Sequence, residues 1–215
     1  MSAQVKSKKR VAEHGEVFTN EREVYAILDL VKQETERIDS RFLEPACGNG
    51  NFLIEILRRK LEVVKARYKK SQWEYEKNGL IAVMSVYGVD IMPDNVEECI
   101  SRLFSLFEEY YKSIFKKQIK EDYLEVVNFI FSKNILCGDA LSMKTNDGNP
   151  LVFAEWSFVK GNMVQRRDFM YEQLITIEEK KNKQETIFGD FVDKPIKTYP
   201  LTHYLNLKEN DTNDD

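Results

Sequence analysis

The residues with the clearest chemical potential lie in one run, Glu44-Pro45-Ala46-Cys47-Gly48-Asn49-Gly50-Asn51-Phe52. Two glycines one residue apart let a chain reverse sharply and let its backbone approach a ligand closely. The apolar pair Phe42-Leu43 precedes the run and an amphipathic stretch follows it, so the turn joins a strand to a helix. Such a turn places a ligand over the strand's carboxyl end, beside the free amides of the helix N-terminus. A dinucleotide-binding turn would carry a third glycine three residues after Gly50, where Leu53 stands, so this turn is not built for a pyrophosphate. A nicotinamide fold would also carry its ribose-binding acid about 20 residues past the turn, whereas Asp90 lies forty past Gly50. Glu44, a carboxylate at the strand end, suits a ligand with positive charge and hydrogen-bond donors.

The flanking elements give this turn a frame. Asn20 with Glu23 three residues later reads as a helix start, and Val24, Ile27, Leu28 and Val31 continue it at helical spacing. Ser40 to Ala46 reads as a buried strand. Leu57, Leu61, Val64 and Tyr68 stripe the helix that begins near Phe52, and the charged stretch Lys65 to Lys77 is expected to carry that helix beyond the core. Val83 to Ile91 is rich in β-branched residues, a second strand. Pro93 opens a long helix whose expected apolar face is Val96, Ile100, Leu103, Phe107, Tyr110 and Ile114. Tyr123 to Phe131 form another helix, and Asn134 to Leu141 a third strand with a polar end. Alternating helices and strands predict an α/β fold with a parallel sheet. Leu151 to Val159 and Met163 to Phe169, joined by Lys160-Gly161-Asn162, read as a β-hairpin. Residues 178–186 read as a polar loop, and Tyr199 to Leu205 as a short extended segment.

With these elements in order, the chain resembles the class I S-adenosylmethionine-dependent methyltransferases, and among them the adenine-N6 DNA methyltransferases of restriction-modification systems. The resemblance spans about residues 11–142 and is strongest at Glu44 to Phe52. It implies a Rossmann-like methyltransferase sheet, complete or shortened, with the β-hairpin as a C-terminal appendage. It also implies S-adenosyl-L-methionine as cofactor, held around Glu44, Ala46, Gly48 and Gly50. His14 to Thr19 resembles the segment that lines the cofactor's methionine end, which brings in Phe18 and Thr19. Tyr87 to Ile91 resembles the second strand, where Asp90, with Ile91, would meet the ribose hydroxyls. Asn134 to Leu141 resembles the third strand, where Asp139, with Ala140, would meet the adenine amine. Taken singly, Asp90 and Asp139 read as ordinary strand-end turn acids, and Phe18 reads equally well as core and Thr19 as a helix cap. Cys47 is assigned a packing role.

The catalytic half is not legible. Adenine-N6 enzymes carry an Asp/Asn-Pro-Pro-aromatic element whose acceptors grip the target amine while its ring stacks on the flipped base. No such tetrapeptide occurs; Asn149-Pro150 and Gly161-Asn162 read as hairpin turns, so the catalytic residues stay unassigned. The expected function is adenine-specific methylation of DNA in a restriction-modification system. The alternative is a catalytically silent, cofactor-binding subunit of a larger DNA-modifying or defence complex. Either way DNA is the expected substrate, and a partner subunit or second copy is expected. The formal net charge of −4 argues against tight solitary DNA binding, since phosphate neutralisation supplies most of such affinity. No apolar run nears the roughly 20 residues of a membrane span, and no secretory signal is read, so a cytoplasmic, membrane-free setting is expected. Three scattered cysteines and two histidines suggest neither disulfides nor a metal site. The expected organisation is a flexible basic N-terminus at 1–12, the cofactor-binding core at 13–145, the hairpin and extended appendage at 146–207, and an acidic disordered tail at 208–215.

Overall fold

The computed structural model describes residues 6–14, 17–116, 118–174 and 194–212. These fall into two compact units, Met1–Cys137 and Gly138–Asp215. The expected polar loop at 178–186 lies outside the described residues.

The first unit holds α1 (Lys8–His14), α2 (Glu21–Asp29), α3 (Lys32–Thr35), β1 (Phe42–Glu44), α4 (Asn51–Tyr68), α5 (Gln72–Met84), β2 (Val86–Asp90), α6 (Pro93–Phe115), α7 (Glu121–Asn134) and β3 (Ile135–Cys137). Its sheet is parallel in the order β1-β2-β3, with Phe42 opposite Val86 and Gly88 opposite Ile135. Helix α4 packs on α5 and α6, and α7 on the same two, so the four helices form one layer against the sheet. Gly88 faces that layer: a Cβ there would lie 2.8 Å from a Leu53 methyl and 3.0 Å from the Cys47 sulfur. By strand alternation Leu43, Tyr87, Val89 and Leu136 point to the opposite face.

Several boundaries differ from the sequence reading. The charged stretch after Lys65 does not prolong α4. That helix ends at Tyr68, and Ser71 caps a new one, its Oγ accepting the Glu74 amide at 3.4 Å. Helix α5 then folds back on α4 and buries Tyr75, Gly79, Leu80, Ala82 and Val83. Its Glu76 is buried too, because Tyr111 Oη and Lys120 Nζ each donate to it at 2.7 Å. The second strand accordingly starts at Val86, not Val83. On α6 the buried apolar residues are Val96, Cys99, Leu103, Leu106, Phe107 and Tyr111, a stripe rotated from the expected one; Ile100, Tyr110 and Ile114 lie at its margin. The expected strand Asn134–Leu141 is only Ile135–Cys137, since Asn134 ends α7 and the chain turns at Gly138. There a Cβ would sit 2.5 Å from the Lys144 carbonyl oxygen.

One buried charge ties the layer to the entry of β1. Lys60 of α4 is fully buried, and its ammonium donates to the Ile38 carbonyl at 3.1 Å, the Ser85 hydroxyl at 2.7 Å and the Ser40 carbonyl, while lying 5.2 Å over the Phe42 ring. Burial pushes its pKa down to about 7. Lys60→Met would leave the Ser40 carbonyl without its donor and the Ile38 carbonyl with the Ser85 hydroxyl at 3.3 Å, so a loss of about 1–3 kcal/mol is expected in urea unfolding. A variant as stable as the wild type would show that water replaces the ammonium.

The second unit is built on a hairpin of β4 (Val152–Lys160) and β5 (Met163–Met170), turning at Gly161-Asn162, where Gly161 has φ +56°. Two short strands, β6 (Lys197–Thr198) and β7 (Thr202–His203), both pair antiparallel with β5. Its core contains Phe153, Trp156, Val164, Phe169, Tyr171, Tyr204 and Leu207. Arg166 is buried as well, bidentate to Asp168 at 2.8 and 2.9 Å, and its guanidinium carbon lies 4.1 Å from the Tyr199 ring centroid. The residues expected to be a disordered acidic tail contribute here: Glu209–Thr212 form α8, in which Asn210 is buried and Asp211 accepts from Arg166 at 2.6 Å.

Candidate ligand cradle

Both glycines of the turn take left-handed backbone conformations, Gly48 at φ +52° and Gly50 at φ +90°. Each is held by a close neighbour. A Cβ on Gly48 would lie 3.1 Å from the Phe18 ring, and one on Gly50 would lie 2.6 Å from the Cys99 sulfur on α6. Gly50 also stands as the N-cap of α4, so the first amides of that 18-residue helix open beside the turn.

The turn and the end of β2 are joined directly. The Gly48 amide donates to Asp90 Oδ2 at 2.9 Å, while Asp90 Oδ1 accepts from the Met92 amide at 2.9 Å and from Asn95 Nδ2 at 3.1 Å. A carboxylate offers about four acceptor positions, and these bonds leave one on Oδ2, beside the turn. Ile91, the next residue, is exposed. Glu44, at the end of β1, is half-buried, and burial raises its pKa against the lowering effect of the Ala46 amide. A ligand cation placed against Glu44 would relieve that cost. Cys47 is buried in contact with Cys99, and that thiol contact together with burial pushes the Cys47 pKa far up, so it carries no thiolate chemistry.

A second set of bonds fixes the segment before α2. Asn51 Nδ2 donates to the Thr19 carbonyl at 2.9 Å. Arg102 of α6 donates to Asn51 Oδ1 at 3.0 Å and to the Asn49 carbonyl at 2.6 Å, and Asn49 Nδ2 donates to Glu98 at 3.0 Å. Sequence reasoning missed Arg102, Glu98, Asn95 and Cys99. The first two lie on the polar side of an amphipathic helix, a position that signals solvent unless the neighbouring element is known.

Of the residues expected in the site, Phe18, Thr19, Glu44, Ala46, Gly48, Gly50, Asp90 and Ile91 all lie in the first unit. Asp139 and Ala140 belong to the second. Asp139 is the cap of a local turn: its carboxylate accepts the Leu141 amide at 2.9 Å and the Ser142 amide at 3.3 Å, bonds that hold its pKa below the usual carboxylate range. Its backbone is bridged to Lys144. Asn149 and Asn162 are turn residues: the Asn149 amide donates to Thr145 Oγ1 at 3.2 Å, and the Asn162 carbonyl accepts the Tyr204 amide at 2.9 Å. Among the described residues no group of His, Cys, Asp and Glu is arranged to hold a metal, and no helix is long and apolar enough to cross a membrane. In comparison with known protein families, curated proteins and solved structures, the chain matches none.

Proposed function

We propose that the first unit binds S-adenosyl-L-methionine and that the chain is an S-adenosylmethionine-dependent DNA methyltransferase of the adenine-N6 type, with a Rossmann-like sheet in shortened form. The single observation that carries this reading is the bond from the Gly48 amide to the Asp90 carboxylate, which unites the glycine turn after β1 with the acid after β2 in one cradle. Asp90 then has an acceptor position for a ribose hydroxyl, Glu44 faces the cofactor's positive charge, and the left-handed glycines leave the turn's backbone open to the ligand. Phe18 forms an apolar wall against Gly48. When bound, the cofactor supplies a methyl on a sulfonium leaving group; the protein's task is to hold the acceptor amine in line.

A second reading, a cofactor-binding subunit that acts only with a partner chain, has a specific observation in its favour. Among the described residues β1 is an edge strand that pairs with β2 alone, and such an edge offers unpaired backbone groups to a second chain. The Phe42 amide donates to the Ser85 carbonyl on the β2 side, so the backbone groups of Leu43 point to the open edge, and Leu43 is 40% exposed. Ile27, Leu30 and Val31 form an exposed apolar stripe on and just beyond α2, with Leu30 85% exposed.

Transfer of labelled methyl from the cofactor to unmethylated duplex DNA distinguishes the two. On the subunit reading the chain alone binds cofactor but transfers little, because the sequence carries no Asp/Asn-Pro-Pro-aromatic element and the flipped base would forgo stacking of about 1–3 kcal/mol. Robust N6-methyladenine formation by the chain alone would overturn that expectation and establish the enzyme reading. Absence of transfer with cofactor bound favours the subunit.

A further inference from the structure

The N-terminal segment was expected to be a free basic arm. Instead Lys8–His14 form α1, and the segment is fastened beside the cradle. Arg10 makes a bidentate pair with Asp94, Nη1 to Oδ2 at 2.6 Å and Nη2 to Oδ1 at 3.1 Å. Lys6 Nζ lies 3.0 Å from Asp94 Oδ2 and 2.7 Å from Glu98 Oε2. The anchoring acids sit in the first turns of α6, directly after Asp90-Ile91. Glu98 is also the acceptor for Asn49 in the glycine turn. The Lys6 ammonium lies 6.0 Å from the centre of the Phe18 ring, the ring that rests against Gly48. The segment therefore crosses the residues that frame the cradle on the side of Phe18.

How it is held matters as much as where. Among the described side chains of residues 6–12 none is buried; Arg10 and Val11 are intermediate and the others exposed. Among its described side chains the segment has no buried apolar anchor, and it is fastened through ion pairs to acids that are themselves partly in water. Such pairs are individually weak and weaken further with salt. Segments of this kind open locally far below the free energy of global unfolding.

We propose that Lys6–His14 is a strap over the mouth of the Gly48–Asp90 cradle, latched by Lys6 and Arg10 on Asp94 and Glu98, and that it opens to admit and release the ligand. The gating part rests on the cofactor-binding reading above; the latch does not. The ligand meets the closed cradle, waits for the ion pairs to part, and is retained when they re-form. Salt then speeds both entry and exit while changing affinity less.

Hydrogen exchange on the full chain tests the latch without any ligand. The amides of Val11 to His14 should exchange about fivefold faster at high salt than at low salt, and about as fast at low salt already in the double variant Lys6→Gln/Arg10→Gln. Exchange indifferent to both changes overturns the latch. The release rate of labelled S-adenosylmethionine, followed by rapid filtration, tests the gate: the same variant should release it about fivefold faster, with no further effect of salt. Faster exchange in the segment with unchanged release overturns the gate and leaves a latch with no bearing on the ligand. Failure of the wild type to bind the cofactor overturns the gate together with the function proposed above, while exchange still decides the latch.

Discussion

Gly50→Ala is expected to destabilise the first unit by about 2–5 kcal/mol. Two independent costs meet at this position. The backbone at φ +90° is one that residues with a Cβ rarely adopt, at roughly 1–2 kcal/mol. The added carbon would also lie 2.6 Å from the Cys99 sulfur and 3.6 Å from the Cys99 Cα. That pushes against the α6 backbone rather than against a free side-chain tip, and overpacking of this kind costs about 1–3 kcal/mol. Pairing the change with Cys99→Ala separates the two, because removing the sulfur relieves the clash and leaves the backbone cost. In urea unfolding the double variant should recover about half the loss relative to Cys99→Ala alone. No recovery would mean that the dihedral angle alone sets the cost. Gly48 makes the contrast. A Cβ there carries the same left-handed backbone cost at φ +52° but meets only the Phe18 ring, at 3.1 Å, with no backbone atom behind it. Gly48→Val should therefore spare more of the fold than it spares of cofactor binding.

The second large effect belongs to Asp90. Asp90→Ala removes the acceptor of the Gly48, Met92 and Asn95 donors at once, so the glycine turn loses its tie to β2 as the ligand loses its hydroxyl partner. Charge-assisted hydrogen bonds carry about 1.5–3 kcal/mol, and cofactor affinity should fall by roughly ten- to a hundredfold. Asp90→Asn keeps one acceptor oxygen and the side chain's shape, so it should fall between the two. If the loss in Asp90→Ala came only from unfolding, affinity at low temperature would return to the wild-type value.

The parts of this architecture that announce themselves locally were open to a reader of the sequence. Glycines at 48 and 50 after an apolar pair require a turn whatever surrounds them. Likewise, β-branched and aromatic residues on both sides of Gly161-Asn162 require a hairpin. What escaped depends on distant partners. Helix α5 was hidden because Glu74, Glu76 and Lys77 look like a solvated extension, whereas the Tyr111 and Lys120 donors that accompany the burial of Glu76 lie far along the chain. The basic start and acidic end looked free because each is charged, yet Arg10 meets Asp94 and Asp211 meets Arg166. Asp139, expected as the third of a series of strand-end acids, lies in the second unit, where its carboxylate accepts the amides of its own turn. The candidate site was legible as far as the turn, Glu44 and Asp90, and the helix-borne residues that brace it, Cys99 and Arg102, were not.

The central claim is that the Gly48–Asp90 cradle holds S-adenosylmethionine. Isothermal titration of the purified full chain with S-adenosylmethionine, and separately with NAD, tests it most directly. The account predicts saturable heat at one cofactor per chain for S-adenosylmethionine, none for NAD, and a markedly weakened S-adenosylmethionine isotherm in Asp90→Ala. Absence of binding by the folded wild type, or equal binding of NAD, would contradict it.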